Sequence, residues 1–229
     1  MISKNHANRS MHNWLAYNIG DKFLIKHLVT LKGVVYDLGC GESPYREFIL
    51  KYADRYIGVD WTSTIHQSQA NIVANLNEPL EIEANVADSV ISLSVLEHLC
   101  EPQIMLNEAC RILKKDGQLI LQVPWQWRIH EAPYDFFRYT PYALEYMLKK
   151  AGFSHILIEP QSGFFTMAIL KFNYFLKRFV RGPKLVRTII GFIFIPIWYL
   201  GQTLAPLLDK LDGNWSLETT GYFVTARKV

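Results

Sequence analysis

The stretch Val35-Tyr36-Asp37-Leu38-Gly39-Cys40-Gly41-Glu42-Ser43-Pro44-Tyr45 reads as a buried strand that ends in an acid, a glycine turn, and the start of a helix. The strand spans Val34 to Leu38, and the helix runs from Tyr45 to Ala53 with Pro44 at its start, where a missing N–H is no loss. A second strand, Tyr56 to Asp60, completes a βαβ unit. Further strands are expected at Ile72–Ala74, Ser89–Ser94, Gln118–Val123, Phe153–Glu159 and Tyr222–Thr225. Helices are expected at Trp14–Leu31, which carries an apolar face, at Glu101–Leu113 and at Pro141–Ala151, which Gly152 stops. Lys114 and Lys115 fall where cations suit the negative end of the Glu101–Leu113 helix. Strands alternating with helices imply an α/β, Rossmann-like doubly wound sheet, mostly parallel, with helices on both faces.

The chain has 229 residues, enough for one sizeable α/β core with an appendage. A net charge of +3 with 20% charged residues leaves no whole-chain basic footprint, so no nucleic-acid partner is expected. Cys40, Cys100 and Cys110 are too few for a disulfide framework, and no Cys/His spacing matches a zinc site, so no metal is expected. The opening residues hold no apolar run of the secretory type, which suggests a cytoplasmic protein.

In an open α/β sheet, ligands bind at the carboxyl ends of the strands, where the glycine turn lies. Gly39 and Gly41 let backbone approach a ligand without a Cβ in the way. A dinucleotide fingerprint needs a third small residue at position 44, where this chain has proline. The Asp37 carboxylate would repel a pyrophosphate and attract a ligand carrying an ammonium and a sulfonium. That charge pattern favours S-adenosylmethionine, with S-adenosylhomocysteine as product, over a nicotinamide cofactor. Asp60, at the end of the second strand, is placed to accept hydrogen bonds from ribose hydroxyls.

These residues resemble the class I S-adenosylmethionine-dependent methyltransferase superfamily, in its small-molecule branch with a D-L-G-C-G motif, over roughly residues 33–160. The resemblance implies a seven-stranded sheet with an antiparallel last strand. It also implies a cofactor site of Asp37, Gly39, Cys40, Gly41, Asp60 and Trp61, then Asn75 and Leu76 near adenine, and Ser94, Val95 and His98 beside the sulfonium. Asn75 departs from the family's acid, though an amide can still bond adenine. Taken alone, Asp60 reads as a loop cap, Glu97 and His98 as a surface pair, and Asn75 as a turn residue.

Methyl transfer is an in-line displacement driven by alignment and desolvation, so a base is needed only for a protonated acceptor. Residues 125–140 are too polar for a core strand and too aromatic for an idle loop, which suggests a lid over the acceptor. Its candidates for substrate binding are Trp125, Trp127, Tyr134, Asp135 and Arg138. His130 is the first candidate general base and His98 the second.

Four segments follow: 1–32, N-terminal and helical; 33–162, the core; 163–212, an apolar and basic helical insertion; and 213–229, the final strand. Within the insertion, Lys171, Lys177, Arg178, Arg181, Lys184 and Arg187 precede the nearly uncharged run from Ile189 to Leu208. Its length would span a bilayer, but the final strand must return to the sheet. A helical excursion bent near Pro196 and lying on the inner membrane face is expected, with packing on the protein itself or a homodimer interface as the alternative. Small-molecule or lipid-linked acceptors fit. The rival readings are a membrane-surface binding protein with a non-catalytic methyltransferase fold and a nicotinamide-dependent oxidoreductase.

Overall fold

In the computed structural model, which describes residues 2–6, 8–61 and 69–229, β1 (Val34–Leu38) sits inside a seven-stranded sheet. The other strands are β2 (Arg55–Asp60), β3 (Ile72–Val73), β4 (Ala87–Leu93), β5 (Leu113–Pro124), β6 (Phe153–Pro160) and β7 (Gly221–Lys228). Their order is β3-β2-β1-β4-β5-β7-β6. β1 pairs in parallel with β2 and β4, β2 with β3, and β4 with β5, while β5 and β7 run antiparallel. This is the Rossmann-like architecture expected from the alternation of elements. Val35, Leu38, Val90, Ile91, Leu119, Ile120 and Leu121 are fully buried, so the central strands bury apolar side chains on both faces.

The chain leaves β1 outward through β2 and β3, then returns to pair β4 on the other side of β1. That reversal opens a crevice at the carboxyl ends of β1 and β4, where such folds bind ligands. With the sheet go α2 (Arg46–Ile49), α3 (Pro102–Ile112) and α4 (Pro141–Lys150), and α1 (Trp14–Leu28) precedes β1. The Thr140 hydroxyl caps α4 by accepting from the Ala143 N–H at 3.2 Å.

Two local expectations are corrected. The helix after the glycine turn is a single turn, Arg46–Ile49, rather than Tyr45–Ala53. α3 ends at Ile112 and not at Leu113, so Lys114 and Lys115 follow the helix end as part of β5, where the Lys114 ammonium meets Asp88 at 2.9 Å.

Two compact units divide the chain. The sheet unit comprises 24–125, 129–159 and 221–229. The helical unit comprises the residues up to Phe23, then 126–128 and 160–220, and holds α5 (Phe164–Lys177) and α6 (Lys184–Asp209). Within the helical unit, the Gln202 amide accepts from the Leu15 N–H at 3.0 Å and donates to the Met11 carbonyl at 2.8 Å. Asn173 donates to the His12 carbonyl at 3.0 Å. Gly163 cannot cap α5 with a side chain, and Asp209 does so from α6, accepting from the N–H groups of Gly163, Phe165 and Thr166 at 3.0, 2.8 and 3.2 Å. α6 runs as one helix through Pro196 and Pro206, so Pro196 does not separate two helices. It has a mean hydropathy of 1.6 and is long and apolar enough to cross a membrane, yet only 17% of its apolar window is buried.

Candidate functional site

Gly39 adopts φ +83° immediately after β1, and its N–H donates to the Val59 carbonyl at 2.8 Å, drawing the turn over the end of β2. A Cβ there would lie 2.3 Å from Val95 Cγ2. At Gly41, φ +50°, a Cβ would meet nothing within 4 Å among the described residues. Its N–H donates to Asp60 Oδ2 at 2.6 Å, and the Trp61 N–H to Asp60 Oδ1 at 2.7 Å, so the second-strand acid is oriented by backbone on both oxygens. Cys40 is buried, and burial pushes its thiol up to about 11, which leaves it inert at neutral pH.

Asp37 is buried beneath the turn and accepts from the Tyr56 hydroxyl at 2.6 Å; that hydroxyl also reaches Ser43 Oγ at 3.2 Å. Desolvation pushes the Asp37 carboxyl up to about 7, with the Tyr56 bond working against the shift and the nearby Asp60 charge adding to it. None of these influences is a cation. A buried acid raised in this way, beside a glycine turn, fits a positively charged ligand.

The facing wall is the end of β4. Ser94 takes φ +57° and its N–H donates to the Gln122 carbonyl at 2.9 Å, and Val95 leads into a short 3-10 turn, Leu96–His98. Leu76 is buried in the sheet unit's core. Asn75 is engaged locally: its carbonyl oxygen accepts from the Asn77 backbone and side chain, both at 3.1 Å, and its amide donates to Glu78 at 2.8 Å. That is the turn role its residue type also allowed.

Residues 129–139 are laced onto the Leu96–His98 turn. The Phe136 and Phe137 N–H groups donate to the Glu97 carbonyl at 2.9 and 3.2 Å, and the Tyr139 hydroxyl donates to the Leu96 carbonyl at 2.9 Å. His98 Nδ1 lies 2.6 Å from the Tyr134 carbonyl, and the His98 and His130 rings meet edge to face at 4.8 Å. The Tyr134 ring reaches back to Trp61 at 6.0 Å. Asp135 faces inward. Arg138 grips both its oxygens at 2.6 and 2.8 Å, and the His130 N–H donates to it at 2.9 Å. Burial opposes its ionisation, but these donors outweigh it and hold the carboxyl well below the usual range.

Glu97 stands among these candidate residues, although sequence reasoning assigned it no role of its own. It is not part of a surface pair: its exposure is 0%, and among the described residues neither carboxylate oxygen has a hydrogen-bond partner. Burial drives its carboxyl up to about 8. It also depresses His130, helped by the His98 charge. The neighbours Leu96 and Leu99 were the available signal that Glu97 faces inward. Trp125 packs against the sheet unit's core, whereas Trp127 belongs to the helical unit, its ring edge-on to Tyr174 at 5.3 Å. Residues 126–128 fall in the helical unit and residues 129–139 in the sheet unit.

A sheet's switch point with a buried acid and a glycine turn beside it is where open α/β folds bind ligands. Residues 36–121 match the family model described as "Methyltransferase domain". The ubiquinone biosynthesis O-methyltransferase of Coxiella burnetii is 29% identical over 106 residues, which are 42% of this chain and 45% of that protein. The chain thus matches about half the length of this curated relative. Among solved structures, an S-adenosylmethionine-dependent methyltransferase from Archaeoglobus fulgidus superposes with TM-score 0.57 at 16% identity, covering 96% of this chain and 95% of that one. The [4+2]-cyclase SpnF superposes with TM-score 0.58 at 20% identity, covering 98% and 85%. Residues 36–121 thus match a methyltransferase domain, and the chain shares its seven-stranded fold with solved methyltransferases.

Proposed function

We propose that this protein transfers a methyl group from S-adenosylmethionine to a small-molecule or lipid-linked acceptor. The observation that carries the reading is Asp37: a buried carboxylate pushed up to about 7, with no cation among its influences, beneath a turn where a Cβ at Gly41 would meet nothing within 4 Å among the described residues. When bound, the cofactor supplies an electrophilic methyl group on a sulfonium. Asp37 provides the negative field for that charge, and Asp60, aimed by the Gly41 and Trp61 N–H groups, accepts the ribose hydroxyls. Leu76 and Asn75 flank the base, and the Ser94–Val95 backbone closes the wall opposite the turn. Trp61 and Tyr134, in edge contact, shield the crevice from water.

SpnF shares this fold under the description of a cyclase, so fold alone does not decide the reaction, and binding and turnover are tested separately. Titration calorimetry should show S-adenosylhomocysteine binding to the wild type, weakened about 10- to 100-fold in Asp60→Ala, as expected for hydrogen bonds to a charged group. Tight binding of a nicotinamide dinucleotide in its place would reverse the assignment. Transfer of labelled methyl to a cell extract then separates an enzyme from a binding protein.

The helical unit favours a second statement, that this protein works at an anionic membrane surface. Leu185, Ile189, Phe192, Ile193, Leu200 and Leu204 of α6 are all more than half exposed, a larger apolar face than a soluble surface usually leaves open. Lys177, Arg178, Arg181, Lys184 and Arg187 are exposed at its start. An apolar face with cations at one end suits shallow insertion among acidic headgroups. Phosphatidylglycerol vesicles should sediment the wild type, high salt should weaken the association, and Phe192→Glu/Ile193→Glu should abolish it. A wild type that stays in the supernatant at low salt, and migrates as a dimer that Phe192→Glu/Ile193→Glu splits, would assign the face to a second copy instead.

A further inference from the structure

We propose that Glu97, His98 and His130 form a binding site for one divalent transition-metal ion of the zinc class. Their ligand atoms lie within 4.8 Å of one another: Glu97 Oε1 is 3.7 Å from His98 Nε2 and 3.8 Å from His130 Nε2. Zinc–nitrogen and zinc–oxygen distances are about 2.1 Å, which puts ligand atoms of a tetrahedral ion about 3.4 Å apart, slightly closer than these. The three atoms are therefore too far apart to hydrogen-bond with one another, yet close to the spacing at which one cation would be shared.

The surroundings favour a cation over chance proximity. Among the described residues both oxygens of Glu97 are enclosed and receive no hydrogen bond, a costly state for a carboxyl group that the Arg138 charge only partly offsets. Each imidazole has its remote nitrogen beside an acceptor: His98 Nδ1 lies 2.6 Å from the Tyr134 carbonyl, and His130 Nδ1 lies 3.3 Å from Asp135 Oδ2. The acceptor at His98 Nδ1 places the proton there and leaves Nε2 as the lone-pair donor, the arrangement that orients metal-bound histidines, and the Asp135 charge beside His130 Nδ1 favours the same tautomer without a hydrogen bond. Arg138 and the His130 N–H fix Asp135 in turn. Glu131 Oε2, on the more exposed side, is 3.8 Å from His98 Nε2 and supplies a fourth ligand or leaves that position to water. Two nitrogens and one oxygen suit a borderline ion rather than magnesium or calcium, which prefer all-oxygen sets.

Sequence spacing expected no metal because its criteria look for ligands within one short motif. Here the ligands come from the turn after β4 and from the loop after β5, which the Phe136, Phe137 and Tyr139 hydrogen bonds bring together. Bound through Nε2, the two histidines would act as ligands and not as general bases.

The test is titration of chelator-treated protein with zinc chloride, followed by calorimetry and by metal analysis after gel filtration, with unfolding curves for every variant. The wild type should bind one ion per chain and unfold at a higher temperature when loaded. Glu97→Gln and His130→Gln should weaken binding at least roughly 100-fold, and Asp135→Asn, which touches only the remote nitrogen, about 10- to 100-fold. Failure of the wild type to retain zinc would overturn the site, as would undiminished binding in folded Glu97→Gln or His130→Gln. S-adenosylhomocysteine affinity, measured on the same samples without metal, judges the methyltransferase reading separately.

Discussion

Asp37→Asn is expected to make the ligand-free protein more stable at pH 8 while weakening S-adenosylmethionine binding by at least about tenfold, roughly 1.4 kcal/mol. The Asp37 carboxyl titrates near 7 in the folded protein, against 3.8 for an exposed aspartate, because burial disfavours its charged form. The folded state therefore holds a proton between about pH 4 and 7 that the unfolded chain has released. The stability this group contributes is complete below about pH 4, is lost as pH rises towards 7, and is constant above that. An asparagine has nothing to ionise, and its carbonyl still accepts from the Tyr56 hydroxyl. The variant and the wild type should melt together near pH 4 and diverge by pH 8, with a gain on the order of 1–4 kcal/mol. The gain comes from removing the charge that the cationic ligand needs, a trade of stability against function. Thermal melts from pH 4 to 8, paired with calorimetry at pH 8, decide it. Equal melting temperatures throughout together with unchanged affinity would remove Asp37 from the site.

Gly39→Ala should have the larger structural effect. The new Cβ would lie 2.3 and 2.6 Å from the two γ-carbons of Val95, closer than real carbon atoms approach, and the φ of +83° is unfavourable for any residue with a Cβ. A β-branched valine has few rotamers with which to yield. The left-handed backbone costs about 1 kcal/mol and the overpacking about 1–3 more. Relief by moving the turn would break the Gly39 N–H bond to the Val59 carbonyl and displace Gly41 from Asp60. Urea unfolding should show the loss in stability, and S-adenosylhomocysteine binding should vanish from calorimetric range. Adding Val95→Ala removes the clashing carbons and should recover part of the stability, leaving the backbone cost. If the double variant is no more stable than expected from adding the two single changes, the clash is not the cause.

Much of the sheet was legible because its signals are local. Val34–Leu38 and the glycine turn specify β1 through apolar content and positive φ, and the expected strands all appear within a few residues of their predicted bounds. Asp37 and Asp60 were legible for the same reason, since an acid at a strand end next to a glycine turn is a pattern within one short segment. Where short-range signals compete, the reading was less accurate. Lys114 and Lys115 suit a helix end by charge, but pairing of Leu113 with Ala87 carries β5 back to Leu113. Asn75 suited either adenine or a turn, and its bonds to Asn77 and Glu78 are those of a turn residue.

By itself the sequence determined the alternating α/β framework, the acid–glycine turn that sets the charge of the crevice, and an apolar helix preceded by cations. Only the tertiary structure decided that Glu97 is sealed from solvent, that His98 and His130 converge on it from segments about thirty residues apart, and that Trp127 belongs with α5 rather than with Tyr134. The physical reason is range. Strand and turn preferences act between neighbours along the chain, whereas desolvation and ligand geometry depend on which distant segments the folded backbone brings within a few ångströms.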